Sequence, residues 1–222
     1  DSYGSRGLGD VYKRQAGLLS TLGWTDAAGT PSFCLEGSLF NAGTVIQWLR
    51  DGLQIIDQAP QVNELARSVP DSGGVMLVPA FTGWGTPHWD PQARGVLVGL
   101  TRDSGRGHIA RAALEGIALS VATLVELAEQ ALGSGLGELA VDGGAAASDP
   151  LLQAQADCTG LTVRRPASLE STARGVALFA GLQAGVISDL EQLATARRDG
   201  AELFHPQTVS YTHLTLPTNH PV

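Results

Sequence analysis

Four short clusters in the sequence carry groups that could do chemistry. Asp142-Gly143-Gly144-Ala145 lies between an apolar run and Asp149-Pro150. Adjacent glycines let a backbone approach a ligand without interference from a Cβ, and amides at the start of a following helix can face oxygen acceptors. The same residues also suit a tight strand-to-helix turn that needs positive φ, and the motif alone fits either reading. Ala42-Gly43-x-x-x-Gln47 could set the Gly43 amide at a helix N-terminus facing a phosphate or ribose, with Gln47 one turn later on the same face. Ordinary helix packing produces that spacing too. His88 and Asp90 stand two residues apart in Gly83-Trp84-Gly85-Thr86-Pro87-His88-Trp89-Asp90, next to Pro91. With no third group in view, a structural loop with aromatic anchors is preferred over a general base and its orienting carboxylate. Arg111 and Glu115 read as an ordinary solvated i,i+4 ion pair. Cys34 and Cys158 read as small apolar core thiols. No His, Cys and Asp cluster has metal-ligand spacing.

Composition narrows the chemistry further. The chain has 222 residues, 43% of them hydrophobic, enough to bury a sizeable core in what reads first as one domain. Fourteen basic against twenty-two acidic residues give a net charge of −8, which repels a phosphate backbone, so nucleic acid is not expected as a partner. The single lysine is Lys13. No lysine Schiff base or P-loop lysine can therefore lie downstream of it, and a bound phosphate must be held by backbone N–H groups or by arginine. Two isolated cysteines, and no apolar run approaching the ~20 residues of a membrane span, lead us to expect a reducing, cytoplasmic setting.

The elements that must position these clusters follow from periodicity and punctuation. Leu18–Trp24 and Phe33–Phe40, separated by a turn-rich stretch, predict a hairpin. Val45, Trp48, Leu49, Leu53 and Ile56 predict a helix from Ala42 to about Ile56. Val75–Ala80 and Val96–Leu100 read as strands around an irregular Gly- and Pro-rich loop. His108–Leu132 holds a sustained 3-4 apolar spacing and predicts a long helix. Leu139–Val141 is a strand that breaks into the Gly-Gly turn, after which Asp149 is expected as N-cap with Pro150 at the first helical position. That helix should run to Cys158 and stop at Gly160. Leu161–Arg165 reads as a strand, Ser171–Ala184 as a helix closed by Gly185, and Asp189–Ala196 as a short helix. The expected architecture is α/β, a mixed sheet covered by helices. Residues 1–15 and 209–222 have no sustained apolar period and resemble peptides translated from sequencing-adapter DNA. They are expected to be non-native flanks, leaving 16–208 as the folded body and a piece of a longer protein.

Taken together, CLEGSLFNAGTVIQWLRDGL, VPAFTGWGTPHWDPQARGVLVGLTR, HIARAALEGIA, VDGGAAASDPLLQAQAD and ESTARGVALFAGL resemble, in order and spacing, the C-terminal half of the FGGY carbohydrate kinases. The tract from Gly95 through Gly99-Leu100 to His108-Ile109 and Leu114-Glu115 is similar to that family's C-terminal signature. The wording around Gln47-Trp48-Leu49-Arg50-Asp51 and Pro79-Ala80-Phe81-Thr82-Gly83 is closer to the glycerol kinases than to the xylulose kinases. The resemblance implies a ribonuclease-H-like, actin-like ATPase lobe that binds ATP with Mg2+. It assigns nucleotide contacts to Gly43, Gln47, Gly144, Ala145 and Ser148. At Ser148 the family commonly has Asn, so one hydroxyl replaces an amide beside the adenine edge. No catalytic residue falls within the chain, because the resemblance places the base and the glycerol site in a first lobe upstream of Ala16. The fragment alone is expected to be inactive and the parent enzyme to be a possible homo-oligomer. The alternatives are another FGGY sugar or polyol kinase, or a non-catalytic actin-like nucleotide-binding module.

Overall fold

The computed structural model describes residues 17–25, 29–187 and 200–207. Both expected flanks, and the expected helix Asp189–Ala196, lie outside the described residues. Where the sequence suggested one domain, the chain divides into two compact units, with the boundary between Leu136 and Gly137.

The first unit opens with the expected hairpin, β1 (Leu19–Thr25) antiparallel to β2 (Pro31–Glu36). α1 (Gly43–Asp51) is shorter than its periodicity suggested. Gly52 closes it, and Gln54 at φ 54 turns the chain away, so Leu53 and Ile56 follow the helix rather than extend it. α2 (Gln61–Arg67) was not anticipated. It buries Val62 and Ala66 against α3 (Arg106–Leu132), the long helix that the 3-4 spacing predicted. β3 (Met76–Val78) pairs antiparallel with β4 (Val96–Val98) and lies against the same helix. At that contact a Cβ on Gly116 would stand 2.3 Å from the Leu77 carbonyl oxygen, so only glycine lets helix and strand approach so closely.

α3 is long and apolar enough by length and composition to cross a membrane, although polar residues interrupt its apolar run. Its most apolar stretch is 61% buried inside the protein. Ala110, Ala113, Leu114, Ile117 and Ala118 are all at most 1% exposed, so this is the composition of a core helix.

The second unit carries the sheet that suits the α/β expectation. β5 (Glu138–Ala140) runs parallel to β6 (Thr162–Arg165), and β7 (Glu202–Phe204) pairs antiparallel with the other edge of β6. α4 (Asp149–Thr159) packs Leu152 and Ala156 on Val163 and Phe204, and Gly160 at φ 70 ends it as expected. α5 (Ser171–Gln183) follows, with Gly185 at φ 72 just beyond its end. Among the described residues the strands therefore form three small sheets, of which only β5-β6-β7 is mixed.

Candidate functional site

The Gly-Gly turn is held at both ends. Val141 N–H donates to the Arg164 carbonyl at 3.0 Å, continuing the β5–β6 pairing one residue further. Gly143 then takes φ 78 and ψ 178, a conformation essentially confined to glycine, and its N–H donates to the Leu169 carbonyl at 3.1 Å. Gly144–Ala147 form a single 3-10 turn in which Ala146 drops into the core while Gly144 stays exposed. A Cβ added at Gly144 would meet no atom within 4 Å. The first amides of such a turn have no partner within it. The arrangement thus presents open space and donors together, which suits an anionic or carbonyl-bearing ligand.

Ser148, rather than Asp149, is the N-cap of α4. Its hydroxyl accepts from the Leu151 amide at 3.3 Å, and the residue is only 4% exposed. Both residues are good caps and proline is tolerated anywhere in the first turn, so the sequence did not separate them.

Sequence reasoning missed Arg165 entirely. From the end of β6 its Nη1 donates to the Ala146 carbonyl at 3.0 Å and to Asp149 Oδ1 at 2.8 Å, while Nη2 donates to Glu202. The guanidinium carbon lies 5.1 Å from the centre of the Phe204 ring. Burial pulls its pKa down, but the hydrogen bonds and charges of Glu202 and Asp149 outweigh that and hold it above the ordinary arginine value. No sequence signal joins residues 146, 149, 165 and 202; only the sheet does.

In the first unit, Gly43 begins α1 and Gln47 sits one turn later; both are exposed, and a Cβ at Gly43 would also meet nothing within 4 Å. Ala42, the N-cap, supplies no side-chain bond to this helix start. Just before it, Asn41 Nδ2 donates to Thr82 Oγ1 at 3.2 Å. A shallow cleft is lined there by Phe40, Asn41, Trp84 and Ser120. The His88 loop is tied by its own backbone: Trp84 N–H donates to the Asp90 carbonyl at 2.8 Å and Trp89 N–H to that of Gly85 at 2.7 Å. The Asp90 carboxylate accepts from the Gln92 amide at 2.7 Å, in keeping with a structural loop.

The family model described as "FGGY family of carbohydrate kinases, C-terminal domain" matches residues 9–184. The chain belongs to the FGGY family. The match begins within the tract expected to be a non-native flank. A glycerol kinase of Aromatoleum aromaticum is 55% identical over 178 residues, 80% of this chain and 36% of that protein. One of Delftia acidovorans is 50% identical over 190 residues, 84% of this chain and 38% of its own length. This FGGY chain thus spans well under half the length of the curated relatives it matches. The crystal structure of Plasmodium falciparum glycerol kinase with ADP is similar at a TM-score of 0.78 and 30% identity, covering 89% of this chain and 39% of that one. A ligand-bound xylulose kinase from Lactobacillus acidophilus, at a TM-score of 0.67 and 23% identity, shares the fold, with 86% of this chain and 41% of that one covered.

Two readings of this FGGY domain's side chains need correction. The Arg111–Glu115 pair is not a solvated surface pair. Arg111 Nε donates to Glu115 Oε1 at 2.6 Å, and the Glu115 side chain is 5% exposed, because residue 115 falls between the core positions Leu114 and Ile117. Cys34 is not a core thiol but exposed, as are Leu22, Trp24 and Phe33 in the outer half of a ribbon only two strands wide. Cys158 is partly buried. Among the described residues no group of three His, Cys, Asp or Glu converges to hold a cation. The described residues therefore offer a cation no carboxylate cage.

Proposed function

We propose that this FGGY domain is the ATP-holding part of a kinase that converts glycerol to glycerol 3-phosphate. The observation that carries the reading is the turn at Gly144, where open space lies beside the Gly144 and Ala145 amides, which have no acceptor within the turn. The identities of 55% and 50% to glycerol kinases favour glycerol over a pentulose, since the xylulose kinase likeness reaches the fold alone. Gly144 and Ala145 would face the nucleotide through their amides, and Ser148 would keep the turn closed by capping α4. For the first unit the proposed nucleotide contacts are Gly43 and Gln47. In the reaction the primary hydroxyl oxygen of glycerol bonds to the γ-phosphorus of ATP, and the bond from that phosphorus to the β–γ bridging oxygen breaks. ADP leaves and the hydroxyl proton passes to a base. Mg2+ would supply charge neutralisation on the phosphates. The base and the glycerol contacts are assigned to the portion of the relatives that this chain does not span, and a cytoplasmic setting goes with the reading.

Calorimetric titration of the chain with ATP tests it. Gly144→Val should weaken ATP at least about tenfold, on the order of 1.4 kcal/mol, because the new side chain occupies the open space. Gly133→Val, at φ 67 beyond the end of α3, should lower stability without that selective loss. Unchanged ATP affinity in a folded Gly144→Val protein would reduce the motif to a turn. Turnover of glycerol by the purified chain alone would contradict the assignment of the base elsewhere.

A further inference from the structure

We propose that Arg165 is a positioning residue that fixes the Gly143–Ser148 turn in its ligand-ready form; this rests on the nucleotide reading above. One guanidinium gathers three separate stretches of chain. It takes the Ala146 carbonyl inside the 3-10 turn at 3.0 Å, Asp149 Oδ1 in the first turn of α4 at 2.8 Å, and Glu202 on β7. Its face lies over Phe204, 5.1 Å from the ring centre, so the plane as well as the edge is held.

The side chain is 16% exposed and grows from β6, the middle strand of the sheet, so its base cannot drift. Gly143 makes the brace necessary. A glycine at φ 78 leaves the entry to the turn permissive. Gly144 and Ala145 have no bulky side chains to pack, so inside the turn it is backbone bonds that order it, Ala146 N–H to the Gly143 carbonyl and Ser148 N–H to the Ala145 carbonyl, both at 3.1 Å. A single 3-10 turn of that kind has little cohesion of its own. Holding the Ala146 carbonyl fixes the 146–147 peptide plane at the far end of the turn and so reinforces those bonds, and a turn already ordered loses less freedom when a ligand arrives. Lysine would retain the charge but not the planar fork that meets three acceptors at once.

The test uses the full chain, with ADP as probe, in wild type, Arg165→Lys, Arg165→Met and Glu202→Gln. Amide hydrogen exchange at 144–148 and ADP titration are read beside the thermal unfolding midpoint. Arg165→Lys should speed exchange at the turn amides at least tenfold and weaken ADP about tenfold, while exchange in α3 stays as in wild type. Glu202→Gln, which leaves the Ala146 and Asp149 bonds in place, should do less in both measurements. Arg165→Met should exceed both; should it fail to fold, Arg165→Lys still decides. Unchanged turn exchange in a folded Arg165→Lys protein overturns the proposal, as does faster exchange with ADP affinity intact. If wild type takes no ADP, the nucleotide reading falls, and turn exchange alone then judges the brace. Faster turn exchange in Arg165→Lys would then place the fault in the reading of the ligand and not in the brace.

Discussion

The two glycine-led helix starts of this domain are built in opposite ways. At α1, Gly43 follows an N-cap alanine that gives no side-chain bond, and the polar support is one long bond from Thr44 Oγ1 to Asn41 Oδ1 at 3.4 Å, with Asn41 in turn joined to Thr82. At the 143–148 turn every boundary is tied: Gly143 to Leu169, Ser148 to Leu151, and Ala146 and Asp149 to Arg165. The first start is lightly tied and rests mainly on Val45 and Leu49 below it, both fully buried. The second is a short irregular segment that must be braced from outside, because a single 3-10 turn has almost no cohesion of its own. Similar exposure of backbone amides can thus rest on packing in one place and on a polar bracket in the other.

Substitutions can break that contrast. The largest change is expected at Gly143→Ala, since φ 78 with ψ 178 is closed to residues with a Cβ; it should cost about 1–3 kcal/mol. Ser148→Ala should cost roughly 1 kcal/mol by leaving the Leu151 amide without its cap. Gly43→Ala should go the other way, stabilising by about 0.4–1 kcal/mol, because a helical backbone with open space around the new methyl restricts mainly the unfolded chain. All four tryptophans precede residue 137. Trp fluorescence in urea therefore reads Gly43→Ala, whereas thermal melts by circular dichroism and amide exchange are needed for the other two. A Gly43→Ala protein less stable than wild type would show that α1 begins under a constraint that is not visible in its packing. If Ser148→Ala were neutral, the turn would owe its shape to Arg165 and its backbone bonds rather than to the cap.

Local signals in the sequence reached only as far as local causes. The hairpin, α3, and the Gly160 and Gly185 stops were legible because period and left-handed caps act within a few residues. The seven-residue α2 was within reach through Pro60 and the Val62, Leu65, Ala66 spacing, but it is too short to stand out. β7 was not legible at all: Glu202-Leu203-Phe204 is a strand only because β6 offers an open edge. At the site, the Gly-Gly turn announced itself through two adjacent glycines, and the family wording singled it out from ordinary turns. Its brace did not, because Arg165 meets partners 19, 16 and 37 residues away. Likewise Glu115 looks like a surface charge until the helix is rotated by its actual core, and Cys34 looks like a core residue until the ribbon is seen to be two strands wide.

The contact of Gly116 with β3 has a mechanical side. With the Leu77 carbonyl only 2.3 Å from where a Cβ would stand, helix and strand meet backbone to backbone at one point. Sliding α3 by one turn, about 5.4 Å, would bring Ala112 or Ser120 to that point, and either carries the atom that cannot fit. The joint therefore works as a key in a slot. A displacement of β3 is thereby coupled to a rod of 27 residues, roughly 40 Å from end to end, which can tilt or travel with its strand but is blocked from slipping along it by a turn.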